Sequence, residues 1–179
     1  TADMLSGAHQ QVILPNLAAG CSMADMANLD QVTECWEQLT ELYGRDPAEP
    51  GPDGLAEVIP VTYMNSSAAL KAFCGARGGI VCTSSNAATV LEWAFARGKR
   101  VLFFPDQHLG RNTAKAMGVP LEQMPTWNPN KPLGGSDADT LREARVLLWH
   151  GFCSVHKRFT TAQIERARAE HPGVRVIVH

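Results

Sequence analysis

Residues 79–105 read GIVCTSSNAATVLEWAFARGKRVLFFP. Two apolar runs, 79–83 and 100–105, flank a stretch of helical pattern. Each run is almost continuously hydrophobic and rich in β-branched or aromatic residues, as strands covered on both faces are. Between them Val90, Leu91, Ala94 and Phe95 recur at helical spacing and predict a buried stripe. Ser84 or Ser85 is placed to cap that helix by accepting from a free backbone N–H, and Gly98 to end it. A strand, a helix and a strand in this order form a βαβ unit with a right-handed crossover between parallel strands.

The unit recurs outward in both directions. Further strand-like runs lie at 11–15, 57–63, 144–150 and 174–179, and helical patterns at 22–44, 66–77, 108–117 and 160–171. The last helix repeats the capping plan, with Thr160 or Thr161 at its start and Pro172-Gly173 as its stop. Such alternation predicts an α/β fold built as a three-layer α/β/α sandwich on a parallel sheet. Two segments interrupt it: 43–56 is Pro/Gly-rich and reads as a surface loop, while 123–141 is irregular and longer than a connection needs.

Composition narrows the function classes. The 179 residues carry 16 basic and 18 acidic side chains, without a Lys/Arg-rich run, and few aromatics. That excludes the electrostatic and stacking footprint of a nucleic-acid partner. No apolar run approaches the roughly 20 residues that span a bilayer, and the first residues lack the pattern of a secretory signal. Five cysteines at 21, 35, 74, 82 and 153 are an odd, irregularly spaced set, so a reducing cytoplasm is expected rather than a disulfide framework. Both ends look cut: the chain is expected to be a piece of a longer protein.

In open parallel α/β sheets, ligands bind beyond the carboxyl ends of the strands, where helix N-termini expose free N–H groups. Those ends are followed here by NLAAGCSMADM, YMNSSAA, TSSNAA, PDQHLGRN and HGFCSVH, and the last run stops at His179. Polar and reactive residues therefore collect at the one edge where this fold builds sites. Each has a plainer reading. Ser22, Ser66 or Ser67, and Ser84 are natural helix caps, PDQHLGRN reads as a turn tied down by Arg111, and Cys35, Cys74 and Cys82 fall at core positions. For Cys153, with His150 and His156 beside it, the residues leave several chemistries open: zinc ligation with His150, a thiol nucleophile with a histidine base, or a thiolate of an iron–sulfur cluster.

The segments PNLAAGCSMADM, VTYMNSSAALKA, VCTSSNA, FFPDQHLGRNTA, WHGFCSVHKRF and VIVH together resemble, in order, the quinolinate synthase family over nearly the whole chain. The resemblance implies three pseudo-symmetric α/β/α domains, of which residues 1–20 end the first, 21–153 form the second and 154–179 begin the third. It implies condensation of iminoaspartate with dihydroxyacetone phosphate to quinolinate, with loss of phosphate and water, in NAD biosynthesis, and a functional link to an L-aspartate-oxidising enzyme. It also implies a 4Fe–4S cluster held by three thiolates, with one iron open as a Lewis acid. Cys21 and Cys153 match two of those thiolates. Tyr63, Met64 and Asn65 match a substrate-binding segment in which Tyr63 is catalytic, and Ser84 and His179 match further substrate contacts. The sequence departs from the family in lacking the early His and Tyr, the third cysteine and the Pro-Glu after the terminal His, and in the extra length of FCGARGG and of 43–56. The piece alone is accordingly expected to be inactive. Two other functions suit the residues: a non-catalytic α/β domain binding a phosphorylated or dicarboxylate ligand, and a thiol enzyme using Cys153.

Overall fold

A computed structural model describes residues 7, 9 and 20–177. The strand expected at 11–15 and the terminal His179 lie outside the described residues. The elements run α1 (Ser22–Asp25), α2 (Leu29–Tyr43), β1 (Ala56–Tyr63), α3 (Ala68–Ala76), β2 (Ile80–Cys82), α4 (Ala87–Phe95), β3 (Gly98–Phe104), α5 (Gln107–Ala116), β4 (Thr126–Trp127), α6 (Ala138–Glu143), β5 (Val146–Trp149) and α7 (Thr161–Glu170).

The single helix expected over 22–44 is two. Asn28 is extended and its side chain accepts from Gln31 N–H at 2.9 Å, so α2 starts afresh at Leu29. From there Val32, Cys35, Trp36 and Leu39 form the buried stripe of α2, spaced as one helical face requires. The α4 cap also differs from expectation. Asn86, not a serine, occupies the cap position, and its Oδ1 accepts from the backbone N–H of Thr83 at 2.7 Å. Gly98 opens β3 rather than closing α4. The irregular stretch 123–141 holds β4 and the start of α6, elements whose lengths of two and six residues are too short for periodicity to register. Residues 174–177, expected in a strand, adopt none.

All five strands are parallel, in the order β2-β1-β3-β5-β4. The register sets Val61 beside Ile80, Ile59 beside Val101, Leu102 beside Leu147 and Trp127 beside Trp149. Alternate residues of each strand point to opposite faces. Val58, Leu102, Phe104, Leu147 and Trp149 pack against α2, α3 and α6. Ile59, Val61, Val101, Phe103, Val146 and Leu148 pack against α4 and α5. Two cores on one sheet make the three layers expected.

The amino edge of the sheet is tied by charge. Glu57 accepts from Arg45 (2.9 Å), Lys99 (2.9 Å) and Arg100 (2.8 Å). Burial pushes the Glu57 carboxyl up, but hydrogen bonds from Lys99 and Arg45, with the charges of Lys99 and Arg100, outweigh it and hold the group below its ordinary value.

Helix α5 meets the sheet at Gly110, where there is no room for a side chain. A Cβ there would stand 2.7 Å from Leu148 Cδ2 and 2.7 Å from Phe103 Cδ1. Gly110→Val is therefore expected to cost about 1–3 kcal/mol through overpacking. Urea denaturation checks this as a lower midpoint at unchanged slope.

Candidate active site

The order β2-β1-β3 places the reversal of strand order beside β1, which makes the crevice beyond the carboxyl ends of β1 and β3 the place where such a fold takes a ligand. A cavity of about 460 Å³ opens there, lined by Met23, Tyr63, Asn65, Ser84, Asp106, His108, Leu109, Asn112, Cys153 and His156. Its walls come from the segments that follow β1, β2, β3 and β5, with Met23 from α1.

Each wall is held by local hydrogen bonds. After β1, the buried Thr62 hydroxyl donates to Ser66 Oγ at 2.9 Å, and Ser66 Oγ donates to the Tyr63 carbonyl at 2.8 Å. Ser67 caps α3 by accepting from Leu70 N–H at 3.2 Å. The turn carrying Asn65 is thus fixed at both ends. After β2, the Asn86 bond to Thr83 shapes the bend that holds Ser84 at the start of α4. After β3, Asp106 is 6% exposed and accepts from the N–H groups of His108 (2.8 Å) and Leu109 (3.3 Å), capping α5. Arg111 ties the same turn to β4 through Thr126 Oγ1 at 3.1 Å.

The segment after β5 is drawn against the turn after β3. Asp106 and Gly151 form a parallel bridge, and Gln107 N–H donates to the Gly151 carbonyl at 3.0 Å. A Cβ on Gly151 would collide with the Pro105 carbonyl, so only glycine permits this approach. Two residues later Cys153 reaches the cavity, and His156 follows it. Gly151→Val is expected to displace this segment. The check is the reactivity of Cys153 toward a thiol reagent, which should change while the helical circular dichroism signal is kept.

The structure therefore brings Tyr63, Asn65, Ser84 and Cys153 to one cavity. Met64, 48% exposed, is not among the lining residues. Cys21 is exposed at the start of α1, two residues before Met23. Asp106, His108 and Asn112 were legible in PDQHLGRN only as a turn. Their signal was a buried cap at a strand end with two polar residues one helical turn apart behind it.

The fold and cavity define an α/β protein with an open cavity at the carboxyl edge of a parallel sheet, the place where such folds bind small ligands. The chain belongs to the quinolinate synthetase A protein family, whose sequence profile matches residues 1–179. It is 71% identical over 179 residues to a quinolinate synthase of Corynebacterium glutamicum, covering 100% of this chain and 43% of that protein. To a quinolinate synthase of Acidobacterium capsulatum it is 54% identical over 179 residues, covering 100% of this chain and 46% of that protein. To one of Rhodopirellula baltica it is 53% identical over 174 residues, covering 97% of this chain and 42% of that protein. The chain thus spans less than half the length of these curated relatives.

The five thiols divide by environment. Cys35, Cys74 and Cys82 are buried in the core, as their positions predicted. Burial pushes the Cys74 and Cys82 thiols up to about 12 and raises Cys35 as well. Cys21 is exposed and Cys153 partly so. Iron–sulfur clusters take thiolates, so the two accessible thiols fit as part of a cluster's ligand set and the three buried ones do not. Among the described residues no group of three His, Cys, Asp or Glu side chains converges to hold a metal.

At pH 8 Cys21 and Cys153 are expected to react quickly with a thiol reagent and Cys35, Cys74 and Cys82 only on unfolding, as mapped by mass spectrometry. The folded pKa of Cys74 and Cys82 lies above the ordinary 9.0. Their contribution to stability is therefore complete below pH 9 and lost as pH rises from 9 toward 12. A stability profile over that range should fall accordingly, and Cys82→Ala should flatten part of the fall.

Proposed function

We propose that this chain is part of a quinolinate synthase, which condenses iminoaspartate with dihydroxyacetone phosphate and releases quinolinate, phosphate and water in NAD biosynthesis. The observation that carries the reading is the convergence of Tyr63, Asn65, Ser84 and Cys153 on one cavity. It is supported by the relatives that bear this name. A binding domain without chemistry would have no use for an accessible thiol lining its cavity.

In this reading Cys21 and Cys153 hold a 4Fe–4S cluster together with a thiolate from outside residues 1–179. Bound there, the cluster supplies an open iron that acts as a Lewis acid toward a substrate oxygen or nitrogen. The side chains do the rest. The Tyr63 phenol, at the end of β1, gives or takes a proton at a substrate heteroatom. The Asn65 amide donates to a substrate carboxylate and fixes its orientation. Ser84 holds an anionic group at the start of α4, where the free N–H groups of the helix add their partial charge. Met64 is assigned a contact at the rim of the cavity, and His179 a further substrate contact. Apolar neighbours such as Met23 and Leu109 keep water from the reactive imine.

The domain assignment is proposed with it: residues 1–20 close a first α/β/α domain, 21–153 form the second and 154–179 open a third, in a pseudo-threefold arrangement around the site. The protein is placed in the cytoplasm, where iminoaspartate comes from an enzyme oxidising L-aspartate. No helix among the described residues is long and apolar enough to cross a membrane. Residues 1–179 by themselves, with two of three thiolates, are proposed to be inactive.

Cys153→Ser in the complete protein tests the reading. Serine is a poor ligand for iron, so bound iron should fall by most of its amount and quinolinate formation should cease. Full iron content and activity in the variant would return Cys153 to an ordinary thiol.

A further inference from the structure

The two accessible cysteines stand far apart in sequence, and three contacts join the segments that carry them. Trp149 Nε1–H donates to the Met26 carbonyl at 2.8 Å, across 123 positions of sequence. Phe152 N–H donates to Met26 Sδ at 3.4 Å. Next to the cysteines themselves, the Ser22 and Ser154 hydroxyls share a hydrogen bond of 3.1 Å. Trp149 is fully buried in the core, so the first contact is anchored to the sheet rather than to a mobile side chain. Met26 is the C-cap that follows α1, and Ser22 the residue at which the helix begins. Both ends of this one-turn helix are therefore fastened to the segment 149–154.

We infer that Trp149, Met26, Ser22 and Ser154 form a clasp that sets Cys21 and Cys153 side by side in the apoprotein, before any cluster is bound. These are positioning residues, acting through the segments that carry the two cysteines. The inference rests on the proposed cluster only for its purpose, since every contact of the clasp is made between protein groups. Its benefit is pre-organisation. A ligand pair already in place spares the assembling cluster the entropy of ordering two segments.

The test uses the full-length apoprotein and dibromobimane, which alkylates two neighbouring thiols with loss of two bromides and fluoresces once both have reacted. Mapping of the labelled peptides identifies the pair. Wild-type apoprotein should give a Cys21–Cys153 bridge. Trp149→Phe keeps an aromatic ring and removes the N–H donor, and Ser22→Ala with Ser154→Ala removes the outer contact. Each should slow the bridging step about fivefold or more, the scale on which a lost hydrogen bond acts. The rate of single alkylation by monobromobimane should hold or rise. General loosening would move both rates together, and circular dichroism confirms that each variant is folded. The serine pair is near the surface and decides the question if Trp149→Phe unfolds. No Cys21–Cys153 bridge in the wild type, or wild-type bridging in the folded variants, would overturn the inference. Bridging in a protein that never takes up iron would leave the clasp standing and remove the cluster.

Discussion

A parallel sheet obliges every crossover helix to begin at the same edge, and this one constraint organises the molecule. Because β1, β2, β3 and β5 all run the same way, the residues that follow them arrive together. Tyr63 with Asn65, Ser84, Asp106 and Cys153 come from four separate segments yet share one cavity. No single segment could supply this set. The side chains that hold the edge in shape are mostly caps and turns: Ser66, Ser67, Asn86 and Asp106 each satisfy backbone groups left open where strand passes into helix.

The two edges of the sheet divide their work. The amino edge carries the charge knot around Glu57, where carboxylate and guanidinium groups neutralise one another. The carboxyl edge carries hydroxyl, amide, imidazole and thiol groups, which can exchange hydrogen bonds or protons with a ligand. The cysteines divide in the same way. Those inside the layers are held as neutral thiols by burial, and those at the carboxyl edge remain accessible for chemistry.

Much of this was readable from the residues, for reasons that differ by element. Strands such as Val146–Trp149 announce themselves because both faces are covered, leaving no polar alternation to obscure the run. The cavity was readable as strand ends, once the strands were placed. What escaped was short or relational. Thr126–Trp127 is only two residues, and its pairing with β5 depends on the whole sheet. The break at Asn28 turns on one side-chain hydrogen bond within a pattern that is otherwise helical. That Trp149 reaches the Met26 carbonyl is a property of packing, invisible to any local window. Met64, in the bend just past β1, is exposed between two residues that line the cavity, a placement no local window of sequence could give.

The central claim is that the accessible thiols at this edge serve an iron–sulfur cluster in a quinolinate synthase. Iron and sulfide analysis of the full-length protein, purified without oxygen, tests it most directly. The account predicts about four iron and four sulfide per chain, with the broad visible absorption of thiolate-bound iron. A colourless, iron-free protein that still forms quinolinate at full rate would contradict it.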